Sequence, residues 1–112
     1  MSMLIDDAKA LADKLKNSEE YRAYTEAKAA AFENPSTAAM LCEFDKLRRE
    51  AQVRAAAGET DELADHKLQK LGELLQFDAA AAAYLMAEYR LNALMGDVLQ
   101  VLAEAVGWNL NG

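Results

Sequence analysis

The sequence contains little cysteine, proline and glycine. Its only cysteine, Cys42, excludes an internal disulfide and any four-cysteine cluster within one chain. One proline and five glycines leave few helix breakers, and only eight of the 112 residues are β-branched. Strands favour branched and aromatic residues, whereas the 24 alanines favour helix. The composition therefore predicts an all-α protein with long helices.

Long apolar runs and catalytic motifs are missing as well. The longest apolar run, residues 79–87, is about half of what a bilayer requires, and the first residues form no basic, apolar leader. No glycine-rich phosphate loop, HExxH, GxSxG or CxxC pattern occurs. A net charge of −7 repels nucleic acid and anionic lipid. We therefore expect a cytoplasmic protein outside the membrane that is not an enzyme and holds no metal or cofactor.

Capping signals divide the chain into five helical segments within a single domain, residues 1–112. We expect N-caps at Ser18, Asn34, Thr60 and Asp78, and helix ends at Gly58 and Gly107. The predicted helices cover about residues 1–16, 19–32, 35–57, 61–75 and 79–106. The first carries a narrow apolar stripe at Met1, Leu4, Ala8, Leu11 and Leu15. Whether the fourth and fifth helices are continuous stays open, because residues 76–78 contain no strong breaker.

The C-terminal helix is too apolar for its own chain to cover. Its apolar positions alternate spacings of three and four, and further apolar residues, among them Leu99 and Val106, widen this seam on both sides. Such a helix must be covered from more than one direction, and the other helices are short and rich in alanine. We therefore predict an intertwined or face-to-face homodimer, with a self-sufficient monomer as the alternative. The predicted interface comprises Tyr84, Glu88, Leu91, Asn92, Met95, Val98 and Leu102.

Glu88 and Asn92 are polar residues within this apolar seam, four positions apart. A carboxylate there is costly unless it is paired, and such groups fix the register between helices. The alternative is an enzyme with a carboxylate site near Glu88. That interpretation requires a second reacting group and a cavity, and the sequence indicates neither.

A basic patch lies on the third predicted helix, at Lys46, Arg48, Arg49 and Arg54. Interleaved carboxylates favour a solvated, ion-paired helix face. The alternative is a docking surface, either for an acidic partner or for an RNA backbone. Binding of an RNA backbone would make this a nucleic-acid-binding protein.

Two isolated residues receive structural interpretations. His66 has Glu62 one helical turn away, which predicts an exposed histidine beside a carboxylate rather than a metal ligand. Cys42 is expected to behave as a small buried apolar residue, because the single histidine gives little support for a catalytic thiol.

An ordered set of residues resembles the YlbF/YmcA family of small bacterial helical proteins. The set comprises Ser18-Glu19-Glu20-Tyr21, Tyr24, Ala27, Phe32, Asn34-Pro35, Leu41, Glu43, Phe44, and the run Tyr84-Leu85-x-Ala87-Glu88-x-x-Leu91-Asn92. The resemblance extends from about Leu4 to Val106. It implies an all-α bundle with a long C-terminal helix, self-association, and a regulatory adaptor role without catalysis.

The better-studied branches of this family imply more specific partners. YlbF and YmcA act with YaaT in a complex connected to competence, biofilm formation, sporulation, ribonuclease Y and mRNA processing, and associated with iron–sulfur clusters. By resemblance, a family paralogue or a ribonuclease-associated protein is the expected partner. A cluster is not carried over, because Cys42 is the only cysteine. Phe77-Asp78 also stands where the family is expected to have a proline-containing break. These departures favour the YheA-like branch.

Overall fold

The computed structural model describes residues 2–108, which form five helices and no strand. The helices are α1 (Met3–Lys16), α2 (Glu19–Phe32), α3 (Pro35–Ala56), α4 (Glu62–Gln76) and α5 (Ala79–Val106). The all-α fold and the long C-terminal helix are therefore confirmed. The question of continuity is also answered, because Phe77 and Asp78 separate α4 from α5. Met1, which the sequence placed in the first apolar stripe, lies outside the described residues.

Side-chain caps begin the helices. The Asn34 Oδ1 accepts hydrogen bonds from the backbone N–H groups of Ser36 and Thr37, at 2.9 and 3.4 Å, and Pro35 occupies the first helical position. Ser18 caps α2 through the N–H of Tyr21, as predicted.

The predicted cap of α4 is wrong by one residue. Asp61, not Thr60, has the extended N-cap backbone, and its carboxylate accepts from the N–H of Ala64 at 3.0 Å. A carboxylate at this position also interacts favourably with the helix dipole, which a threonine hydroxyl does not match.

Glycines in the left-handed conformation end α3 and α5, as predicted. Gly58 and Gly107 have φ values of +72° and +70°. After each glycine the chain folds back: the N–H of Glu59 donates to the Arg54 carbonyl, and that of Trp108 to the Ala103 carbonyl, both at 2.8 Å. These bonds satisfy carbonyl groups that the helix end would otherwise leave unpaired.

Residues 27–84 form a compact unit, here called the central unit. Its buried apolar residues are Ala31, Leu41, Leu75, Ala81 and Tyr84. Within it, α3 packs against α4. Gly72 allows this approach, because a Cβ there would lie 3.3 Å from the ring of Phe44.

Residues 2–26 and 85–108 belong to a second compact unit, here called the split unit. Its described part has only two buried residues, Ala87 and Ala103. The predicted apolar stripe of α1 is not buried: Leu4 is 76% exposed, and the helix contains no buried residue. That the whole chain forms a single domain stays a prediction.

Candidate functional site

Burial differs among the residues of the predicted interface on α5. Leu91 and Val98 are half-buried, whereas Met95 and Leu102 are exposed. The sequence could not show this difference, since every one of these positions is equally apolar.

Tyr84 lies at the other end of this predicted surface and is only 9% exposed. Its ring packs edge-to-face against Phe32, with 5.6 Å between the ring centres. Both residues belong to the central unit. Tyr84 therefore contributes to the chain's own core.

The two polar members of the predicted interface differ in burial. Glu88 is half-buried and interacts with a neighbouring group, whereas Asn92 is exposed.

A continuous line of exposed apolar side chains, here called the α5 stripe, follows the C-terminal half of the helix. It comprises Met95, Leu99, Leu102 and Val106, which are 41%, 52%, 54% and 75% exposed. Their spacings of four, three and four place them along one face. Met95 and Leu102 were predicted interface residues, whereas Leu99 and Val106 were recognised only as widening the seam. Contiguous exposed apolar surface of this kind is typical of an interaction site.

The basic patch on α3 divides into two pairs. Arg48 donates to Asp45 at 3.0 Å, and its guanidinium lies 5.6 Å from the centre of the Phe44 ring. Arg54 reaches across to α4 and pairs with Asp65 at 3.3 Å, with 19% of its side chain exposed. These two arginines therefore have structural contacts within the central unit.

The other pair faces solvent. Arg49 pairs with the second carboxylate oxygen of Asp45 at 3.1 Å but keeps 70% of its side chain exposed. Lys46 is also exposed. With Glu50, Val53 and Arg54 they line a groove of about 480 Å³. The predicted ion-paired helix face is thus present, and it includes a groove that the sequence did not indicate.

Asp78 forms a polar contact that the sequence predicted only in part. Its Oδ1 accepts from the N–H of Ala81 at 3.1 Å, which makes it the expected N-cap of α5. Its Oδ2 accepts from the hydroxyl of Thr37, a buried residue on α3, at 2.6 Å. The Thr37 hydrogen bond, followed by that from Ala81, lowers the pKa of the Asp78 carboxyl. The contact joins positions 41 residues apart, and no local pattern signals such a pairing.

The single histidine and the single cysteine are both exposed. The exposure of His66 agrees with its predicted interpretation, but the expected burial of Cys42 is wrong. Cys42 lies on the outer face of α3, whose inner face is occupied by larger apolar side chains such as Leu41. Within residues 2–108 no group of three or more His, Cys, Asp or Glu residues is arranged to hold a metal ion. None of the helices in this range has the length and apolarity to cross a membrane.

These features define a small all-α protein whose distinguishing surfaces are an exposed apolar stripe and a basic groove. Residues 4–107 match the family described as control of competence regulator ComK, YlbF/YmcA. The chain therefore belongs to the YlbF/YmcA family, and the resemblance noted in the sequence is confirmed. Membership of the YheA-like branch stays a prediction.

Bacterial relatives extend over nearly the whole chain. A UPF0342 protein of Halothermothrix orenii is 36% identical over 101 residues, covering 88% of this chain and 85% of the relative. A UPF0342 protein of Symbiobacterium thermophilum is 33% identical over 108 residues, with 96% of each chain covered. One from Clostridium tetani is 31% identical over 109 residues, covering 96% and 94%. Neither the family description nor these names states an enzymatic activity.

Proposed function

We propose that this protein is a non-enzymatic, cytoplasmic interaction protein that forms a homodimer through α5 and acts as a regulatory adaptor. The observation that carries the proposal is the α5 stripe, whose four large apolar side chains are each more than 40% exposed. Removing a leucine side chain fully from water stabilises an assembly by about 1.5–3 kcal/mol. A second copy of the chain supplies a matching apolar surface, since a two-fold interface uses the same patch on both subunits.

The small number of buried residues in the described part of the split unit supports the same proposal. Only two alanines are buried among its described residues, while α1 exposes Met3, Leu4 and Ile5. Alanine contributes little to hydrophobic stabilisation because its side chain is small. A unit with so small a core gains stability from an additional packing partner.

The regulatory part of the proposal is supported by the family. Its description refers to control of a competence regulator. We extend this to an adaptor linked to RNA processing or developmental regulation, with a family paralogue or a ribonuclease-associated protein as the partner. The α5 stripe and the basic groove fit an adaptor because both offer exposed contacts to other chains.

Substitution of the α5 stripe tests the dimer. Leu102→Glu places a charge where the proposal requires apolar contact, and we expect at least a tenfold weaker dimer by sedimentation velocity. Ala93→Glu is the matched control, because Ala93 is exposed on the polar side of the same helix. A wild-type protein that is monomeric at every concentration, or equal effects of the two substitutions, would refute the proposal.

The proposed role of Glu88 is to fix the register of the paired helices. Replacing it with leucine is expected to broaden the distribution of oligomers in the same sedimentation experiment. A uniform dimer like that of the wild type would rule out this role while leaving the dimer itself intact.

A further inference from the structure

The surface of α3 around the groove differs in charge from the rest of the chain. Four of the twelve lysines and arginines lie between Lys46 and Arg54. The acidic residues nearest to them along the helix are Glu50 and Asp45, and Asp45 pairs with Arg48 and Arg49. The whole chain carries a net charge of −7. A short basic region on an otherwise acidic protein attracts an acidic ligand locally, while the remaining surface repels long polyanions.

Helical spacing places the solvent-facing members of this region on one side. Cys42, Lys46, Arg49 and Val53 follow one another at intervals of four, three and four residues, which aligns them along a single face. Arg48 lies on another side, against the ring of Phe44. The groove of about 480 Å³ is thus lined by Lys46 and Arg49 at one end and by Val53 and Arg54 at the other.

Val53 is the only apolar residue among the described residues that line the groove. Its side chain is 69% exposed, although it stands among charged side chains. The aliphatic stems of lysine and arginine can extend an apolar surface while their charged groups stay in water. An apolar side chain flanked by cations is complementary to a peptide that carries one apolar side chain flanked by carboxylates.

We propose that this groove binds an acidic segment of a partner protein, with an apolar side chain on Val53 and carboxylates at Lys46 and Arg49. The proposal rests on the adaptor function above and specifies the chemistry of the partner. An RNA backbone fits less well, because none of the described residues that line the groove is aromatic and could stack on a base.

Selection from a random peptide library displayed on phage tests this chemistry without assuming a partner. The 112-residue chain is the bait, and the Lys46→Glu/Arg49→Glu variant is used for counter-selection. We expect the enriched peptides to be rich in Asp and Glu around one large apolar residue. Selection that enriches no peptide, or peptides without an excess of acidic residues, overturns the proposal.

Affinity measurements on the enriched peptide locate its site. Fluorescence anisotropy should show at least a tenfold loss of affinity in Lys46→Glu/Arg49→Glu, a smaller loss in Val53→Ser, and weaker binding as salt is raised. Lys67→Glu/Lys70→Glu is the matched control, because it makes the same charge change at two exposed positions of α4. An equal loss in the control overturns the proposal, as does poly(U) RNA binding that depends on Lys46 and Arg49 while no peptide binds.

The native cysteine provides a second readout. Cys42 is exposed one helical turn before Lys46, so an environment-sensitive dye attached there should respond when the peptide binds. Sedimentation of the Lys46→Glu/Arg49→Glu variant should match the wild type. If the wild-type protein forms a dimer but binds no peptide, only the groove proposal is refuted. If the wild-type protein forms no dimer, the proposed function is refuted.

Discussion

Thr37 and Asp78 show how single residues join distant segments of this chain. Thr37 is buried on α3, and its hydroxyl donates a hydrogen bond to the Asp78 carboxylate, which caps α5. A buried hydroxyl that loses its partner is destabilising, and a bond to a charged acceptor is stronger than one between neutral groups. The pair therefore ties the N-terminal ends of two helices together.

Because the pKa of Asp78 is lowered, the contribution of this hydrogen bond to the stability of the fold depends on pH. A depressed folded-state pKa means that the stabilisation is complete above the ordinary aspartate value of 3.8. It is lost as the pH falls from that value through the folded-state pKa. Thr37→Val removes the principal cause of the shift, so we expect it to destabilise the protein more at neutral pH than in acid.

Urea unfolding followed by circular dichroism measures this difference. Thr25→Val is the control, because its hydroxyl donates to the Arg22 backbone carbonyl on an exposed part of α2. The effect of the control substitution should be independent of pH. An equal loss of stability at both pH values for Thr37→Val would show that Asp78 is not the relevant partner.

At the scale of the helix, glycines have opposite roles that depend on their backbone conformation. Gly58 ends α3 with φ of +72°, which strains any residue with a Cβ. Gly96 lies within α5, and a Cβ there would meet nothing within 4 Å. The same substitution should therefore have opposite effects at the two positions.

We expect Gly58→Ala to lower the free energy of unfolding by about 1 kcal/mol and Gly96→Ala to raise it by about 0.5–1 kcal/mol. Chemical denaturation of both variants, compared with the wild type at one protein concentration, measures the two changes. Changes of the same sign would contradict the assigned roles.

Helix ends were predictable because their signals are local. Asn34-Pro35, Asp78, Gly58 and Gly107 act through backbone groups within a few residues, and each was assigned correctly from the sequence. Asp61 was missed because adjacent threonine and aspartate both fit a capping pattern. The choice between them depends on backbone angles, which the sequence does not specify.

The surfaces were less predictable because they depend on packing between helices. Periodicity identifies the apolar positions of α5, but it does not show that Tyr84 is buried while Leu102 remains exposed. The basic residues of α3 were equally visible in the sequence. Only side-chain contacts show that Arg48 and Arg54 are held within the central unit while Lys46 and Arg49 line a groove.

At the scale of the molecule, burial is distributed unevenly. The central unit buries Leu41, Leu75 and Tyr84 together with smaller residues, whereas the described part of the split unit buries only alanines. Marginal stability is normal for a chain of this size, so a unit with little core depends strongly on added contacts. Family membership is compatible with such dependence, because the proposed adaptor works through contacts with other chains.

Sedimentation equilibrium of the wild-type protein over a range of concentrations is the most direct test of the proposed homodimer. A homodimer predicts a species with twice the chain mass of 12.3 kDa, with dissociation favoured by dilution and by Leu102→Glu but not by Ala93→Glu. A single species of 12.3 kDa across the whole range would contradict it.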